Sequence, residues 1–177
     1  MIRCSEPVST PPAAFRSPLE EAVYAALERL DIPFTRIDND PALTMEDCIA
    51  VDAALQVKTV KTLLLCNRQQ TEFYLYVTPG DKPFVTKDFG KSLGISRVSF
   101  APQDLLLPML GTVLGATTIF STLLAAPGSF HLVMDRSVAE SEWYGCTDGT
   151  TTCYLRIATR DLLHRFLPTV PFPLTLI

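Results

Sequence analysis

Thr59-Val60-Lys61-Thr62-Leu63-Leu64-Leu65-Cys66 is the stretch on which the reading of this chain turns. β-Branched residues lead into three leucines, and the polar run Asn67-Arg68-Gln69-Gln70 bounds them downstream, a pattern that predicts a largely buried strand. Lys61 interrupts it. Period-two alternation places Lys61 on the same face as Leu63 and Leu65. An ammonium there can snorkel to water at the wet end of the strand, which is the ordinary outcome. Otherwise it must stand in a cleft with partners or an anionic ligand, because an unpaired buried charge is costly. The second arrangement makes Lys61 a candidate functional residue.

The surroundings of this strand predict a hairpin. Glu72 to Thr78 is rich in aromatic and β-branched residues, and the polar Asn67 to Thr71 is a suitable hairpin loop. Pro79-Gly80-Asp81 is a turn. Upstream, Ser17-Pro18-Leu19-Glu20 reads as a capping box opening a helix with Leu19, Val23, Leu27 and Leu30 on one face. Phe34 to Ile37 alternates like a short strand. Thr44-Met45-Glu46-Asp47 is a second capping box, predicting a helix with Ile49, Val51 and Leu55 inward. Downstream, Thr86 is expected to cap a helix that carries Lys87 and Lys91 on one face and stops at Gly94. A strand over Arg97 to Phe100 and a helix over Pro102 to Leu110 follow. Thr112 to Leu124 suits a cleft-lining loop, and Phe130 to Met134 a strand with Asp135 capping the turn after it. Cys146 to Thr152 reads as a hairpin loop, Cys153 to Ile157 as its exit strand, and Thr159 as the cap of a last helix. The apolar tail from Pro168 is expected to pack back on the body. Residues 1–16, rich in Pro, Ser and Ala, read as a loose extension, and residues 17–177 as one domain of the α/β or α+β class.

Composition narrows the function. The chain of 177 residues is 47% hydrophobic and 19% charged, enough for one real core. A net charge of −4 argues against a general nucleic-acid binder, DNA included, but leaves room for one basic patch that touches RNA. Neither a signal peptide nor a membrane span is expected. The five cysteines form no Cys-x-x-Cys pair, so reduced thiols in the cytoplasm and no metal or other cofactor are expected. Cys146 lacks a histidine base nearby in sequence, which argues against a nucleophile. His131 and His164 read as structural, and Lys58 as solvent-exposed.

Several runs, in order and with matching spacing, resemble the YbaK/prolyl-tRNA synthetase-associated editing domain family. They are Asp40-Pro41-Ala42-Leu43-Thr44-Met45-Glu46, the Lys61 stretch, Tyr74 to Lys82, and Leu93 to Ala101. The likeness extends from about Pro18 to Leu174. It implies a compact α/β (α+β) domain with a mixed, barrel-like sheet flanked by helices, and a pocket that hydrolyses the ester of mischarged aminoacyl-tRNA. Lys61 aligns with the lysine on which the family depends, and Gly115 to Thr118 with its glycine-containing loop. Four family positions are altered: Thr62 replaces an asparagine, Ile119 a proline, and Thr147 and Thr151 a histidine and an asparagine.

The resemblance thus implies a trans-acting deacylase for mischarged tRNA, with tRNA(Pro) the first candidate. Lys61 and Gly115 would carry catalysis, and Thr62, Thr117, Thr118, Thr147, Thr150 and Thr151 would shape the substrate pocket. Lys82, Lys87, Lys91 and Arg97 would meet the phosphates of the acceptor end. An ester is already activated, so a placed water and charge stabilisation suffice without a protein nucleophile. Hydroxyls in place of histidine and asparagine predict a shift toward a small polar amino acid such as serine or threonine. The altered positions also fit a second reading, a catalytically silent module that binds an amino acid or aminoacyl-tRNA.

Overall fold

The computed structural model describes residues 1–177. Ser17 caps helix α1 (Pro18–Arg29) by accepting from the Glu20 amide, and Leu19, Val23 and Leu27 form its buried stripe. Only half of the expected capping box forms. The Glu20 carboxylate turns to the Arg16 amide and, at 2.6 Å, to the Arg16 guanidinium. Strand β1 (Phe34–Asp38) leads to α2 (Met45–Leu55), whose capping box between Thr44 and Asp47 is complete. Its buried stripe is Cys48, Val51 and Leu55, whereas Ile49, expected inward, is 65% exposed. One residue past Cys48 is a rotation of about 100°, which carries Ile49 off the stripe.

Strands β2 (Val60–Cys66) and β3 (Phe73–Pro79) form the expected antiparallel hairpin, with Lys61 opposite Thr78 and Leu63 opposite Tyr76. Helix α3 (Thr86–Leu93) ends at Gly94 in the left-handed conformation. Thr86 is its first residue and not its cap; Val85 takes that position with no side-chain hydrogen bond. Strand β4 is only Ser99–Phe100, and a 3₁₀ turn over Gln103–Leu105 precedes α4 (Leu106–Leu110). A 3₁₀ helix over Ile119–Leu123, strand β5 (His131–Met134) and α5 (Arg136–Ala139), capped by Asp135, follow. Strands β6 (Trp143–Thr147) and β7 (Cys153–Ala158) form the second hairpin. Helix α6 (Thr159–Asp161) runs into a π-helical turn, Leu162–Phe166. Thr159 begins α6 without capping it, its amide donating to the Glu142 carbonyl. The tail closes with β8 (Leu174–Leu176), paired to β5.

The strands make two sheets, β1-β7-β6 and β4-β2-β3-β5-β8, the second mixed because β3, β5 and β8 run parallel. The sheets meet at a bridge between Thr59 and Gly145 without closing a barrel. Alternation sorts the hairpin into two faces: Leu64, Leu75 and Val77 join the main core with α1, while Leu63, Leu65, Tyr74 and Tyr76 pack against Phe89 of α3. The first residues, expected as a loose extension, lie along β1 through bridges at Cys4–Asn39 and Val8–Arg36. Edge backbone groups of β1 supply the reason: Ser5 N donates to Asp38 O at 2.7 Å, and Val8 and Arg36 exchange both bonds. All five cysteines are free thiols. No helix is long and apolar enough to cross a membrane.

Candidate active site

β4 covers β2 only at Leu65 and Cys66, so the edge of β2 from Val60 to Leu63 is open. Ala101 N donates to Leu64 O at 2.9 Å, which identifies Leu64 as pointing its backbone toward β4. Two residues earlier, Thr62 turns its N–H and C=O to the same side, where no strand follows. A cleft of about 230 Å³ runs along this edge. Its walls come from four distant segments: Ala42 to Met45 with Cys48, Val60 to Leu63, the loop residues Leu114, Gly115 and Thr117, and Thr147 with Tyr154. Lys61, Thr62, Gly115, Thr117 and Thr147 thus line one cleft.

Lys61 is half-buried, and its ammonium donates to the Lys82 carbonyl oxygen. Burial lowers the ammonium's pKa, with the Asp81 carboxylate acting in the opposite sense. Asp81 itself is paired with exposed Lys58 at 2.6 Å. In the facing loop Gly115 has φ +86°, a conformation that disfavours a side chain, and Ala116 N closes the turn on Val113 O at 3.0 Å. The Gly115 and Thr117 amides have no acceptor within the protein. Thr118 is not in the cleft: it is fully buried and caps the 3₁₀ helix after it through Phe120 N.

The hairpin loop after β6 spends its polar groups on itself. Thr147 Oγ1 donates to Thr150 O and accepts from Gly149 N at 3.1 Å. Thr150 N and Oγ1 donate to Asp148 Oδ1 at 3.1 and 2.8 Å, and Thr150 lies outside the cleft. Thr151 contributes its carbonyl to Ala42 N and Asn39 Nδ2, and its side chain also stays off the cleft wall. The hydroxyls of Thr147 and Thr150 are therefore committed within their own loop, whereas Thr62 and Thr117 remain on the cleft wall. Asp148 is fully buried, accepts from Tyr24 Oη at 2.9 Å, and lies 4.0 Å from Arg16. Burial pushes its carboxyl up to about 6, against the hydrogen bonds from Thr150 and Tyr24 and with the Glu20 charge.

The cationic residues divide. Lys87, Lys91 and Arg97 line one shallow cavity beside α3 and form no ion pair. Lys82 does not join them, because its ammonium is bound to Asp135 at 2.5 Å. His131 is exposed and pairs with Glu72 at 2.8 Å. The Cys146 thiol is buried and pushed up by burial, as is that of Cys48 in the cleft wall. Both are poor nucleophiles in that state. No group of three or more His, Cys, Asp or Glu side chains is arranged to hold a metal. A larger groove of about 630 Å³ between Leu163 and Leu176 is apolar apart from His164. Sequence reasoning missed the apolar walls Leu43, Met45, Leu63 and Leu114, and also Tyr154. Leu43 and Met45 lie within the Asp40 to Glu46 run, so a signal was present for them.

Known proteins resemble this chain in sequence and in fold. Prolyl-tRNA editing protein ProX of Acetoanaerobium sticklandii is 29% identical over 119 residues, covering 67% of this chain and 73% of that protein. A solved protein put forward as a trans-editing enzyme for prolyl-tRNA synthetase superposes with TM-score 0.65 at 16% identity, over 91% of this chain and 97% of its own. A solved hypothetical protein gives TM-score 0.66 at 19% identity, over 82% and 93%. At such identities the structures speak to fold alone. The sequence model of the aminoacyl-tRNA editing domain matches residues 40–164, a span that contains every wall of the Lys61 cleft, and the chain belongs to that family.

Proposed function

We propose that this protein is a trans-editing deacylase that hydrolyses the ester of mischarged aminoacyl-tRNA, with tRNA(Pro) as the tRNA. The observation that carries the reading is the convergence of Lys61, the Gly115 loop and the open edge of β2 on one cleft. Water adds to the ester carbonyl, the carbonyl oxygen becomes an oxyanion, and collapse expels the terminal ribose hydroxyl with the proton. Free amino acid and tRNA result. The Gly115 and Thr117 amides are the donors available to the oxyanion, and Lys61 holds the terminal phosphate or the ester in place. The Thr62 backbone at the open edge is suited to the amino acid's own polar groups.

The walls of the cleft set specificity. Leu43, Met45, Leu63 and Leu114 are apolar, and Thr147 has no hydrogen bond left to give. Such a site selects by size, at about 1–3 kcal/mol per methylene. A small aminoacyl group is the substrate, and a polar one can gain only from hydroxyls other than that of Thr147, such as those of Thr62 and Thr117. Lys87, Lys91 and Arg97 carry the phosphate contacts of the acceptor end, and neutralising the two lysines should flatten the salt dependence of binding by about one unit of slope per contact.

The test is a panel of Ala-, Ser-, Thr- and Cys-charged tRNA(Pro), with wild type and Lys61→Ala side by side. Fastest release of a small apolar residue by wild type, and its loss in a folded Lys61→Ala, is the expected result. Equal turnover by the variant defeats the role of Lys61. Tight binding without turnover of any ester instead establishes the silent binding module.

A further inference from the structure

We propose that Lys82 and Asp135 are a positioning pair that aims the Lys61 ammonium at the cleft through the Lys82 carbonyl. The proposal rests on the reading of Lys61 above. The turn after β3 folds back over the start of β2, where Gly80 N donates to Thr59 O at 3.1 Å. A Cβ at position 80 would stand 2.5 Å from that same carbonyl oxygen, so only glycine lets the turn lie this close. The approach brings the Lys82 carbonyl onto the Lys61 ammonium.

The far side of the turn is held by Asp135. Lys82 Nζ lies 2.5 Å from Asp135 Oδ2, and Tyr76 Oη donates to the same oxygen at 3.4 Å. Ser137 N and Oγ donate to Oδ1 at 2.9 and 2.5 Å, and Asp135 N is tied to Val77 O at 2.8 Å. Burial alone would raise this carboxyl, but the hydrogen bonds from Lys82 and Ser137 outweigh it and hold it below the ordinary carboxylate range. Asp135 is therefore a fixed anion at the end of β5. It anchors the Lys82 side chain, which anchors the Lys82 carbonyl, which accepts a hydrogen bond from one of the three N–H groups of the Lys61 ammonium. A free lysine samples many rotamers, and an acceptor on one side of the ammonium removes much of that freedom before substrate arrives. The pairing also explains why Lys82 does not stand with Lys87, Lys91 and Arg97.

A pair that merely staples the turn would affect stability and nothing else, so the experiment reads the Lys61 ammonium directly. Full-length Lys82→Met, Asp135→Asn and Lys82→Arg are compared with wild type by NMR of isotope-labelled lysine ammonium groups, the Lys61 signal being assigned by its absence in Lys61→Ala. Deacylation is measured in parallel. In Lys82→Met and Asp135→Asn, the Lys61 signal should lose its slow proton exchange and kcat should fall about tenfold, with KM within about twofold. Lys82→Arg should retain both, since a guanidinium still reaches Asp135. An unchanged Lys61 signal in Lys82→Met and Asp135→Asn overturns the proposal, even if both variants melt earlier. Full turnover by Lys61→Ala would refute the catalytic reading of that lysine while the NMR comparison still decides the positioning.

Discussion

Two threonine-bearing loops meet beside the cleft, and they differ in what their polar groups have left to offer. A Cβ on Gly115 would lie 3.6 Å from Thr151 of the hairpin loop, and Thr112 Oγ1 bridges the two loops by donating to Ala116 O and Gly149 O. In the Gly115 loop the amides of Gly115 and Thr117 have no partner in the protein. In the hairpin loop Thr147 and Thr150 are closed on each other and on Asp148, and the Thr152 hydroxyl accepts from Arg16. One loop thus leaves backbone donors without a partner, and the other spends its polar groups on its own rigidity. What separates them is saturation. A hydroxyl that already donates and accepts within its own loop cannot bind substrate without breaking a bond worth about as much as it would gain.

The largest effect that would test this contrast is in the Gly115 loop. Gly115→Ala puts a side chain at φ +86°, at a conformational cost of about 1–2 kcal/mol, and swings the free amides. Deacylation should fall about a hundredfold while the melting temperature moves by only a few degrees. A variant with wild-type turnover would remove these amides from the mechanism. In the hairpin loop the balance should invert. Asp148→Ala strands the Tyr24 hydroxyl and the Thr150 amide, at about 1–3 kcal/mol each, so denaturant unfolding should show a large loss of stability. Turnover of the fraction that remains folded should stay near wild type.

Thr147→Val is the finer test. It should cost about 1–3 kcal/mol through the stranded Thr150 carbonyl and Gly149 amide, and leave the ranking of aminoacyl esters unchanged. A changed ranking would show that the Thr147 hydroxyl does reach substrate. The last test is a pH slope. Asp148 holds its proton up to about pH 6, whereas the unfolded chain loses it at the ordinary carboxylate value. Between those values the folded state binds more protons, so this group's contribution to stability falls as pH rises through the window and is level above it. Asp148→Asn should remove that slope from the difference between wild-type and variant unfolding curves measured from about pH 4 to 7.

Much of this was legible beforehand where the signal was local. The Thr44 capping box, the β2/β3 hairpin and the placing of Lys61 with Leu63 and Leu65 all follow from spacing within a dozen residues. The same local reasoning failed at Thr86 and Thr159, where the threonine begins the helix one position after the cap. It failed for Ile49 because two neighbouring apolar residues cannot both lie on a narrow stripe, and Cys48 took the place.

By itself the sequence determined that Lys61 sits on a strand, that a glycine-containing loop follows far downstream, and that the pieces come in the order of an editing domain. Alternation, capping and turn chemistry are short-range, so they survive in the one-dimensional record. Only the tertiary structure decided which of the candidate groups are free. The cleft is assembled from segments near residues 42, 61, 115 and 147, and its opening exists because β4 stops after two residues. Whether a hydroxyl, an amide or an ammonium is available depends on what stands opposite it. For Thr147 that is Thr150, for Lys82 it is Asp135, and for the Gly115 amide there is no protein acceptor. Those partners lie anywhere from three to more than fifty residues away, and a hydrogen bond is settled by distance in space, not along the chain.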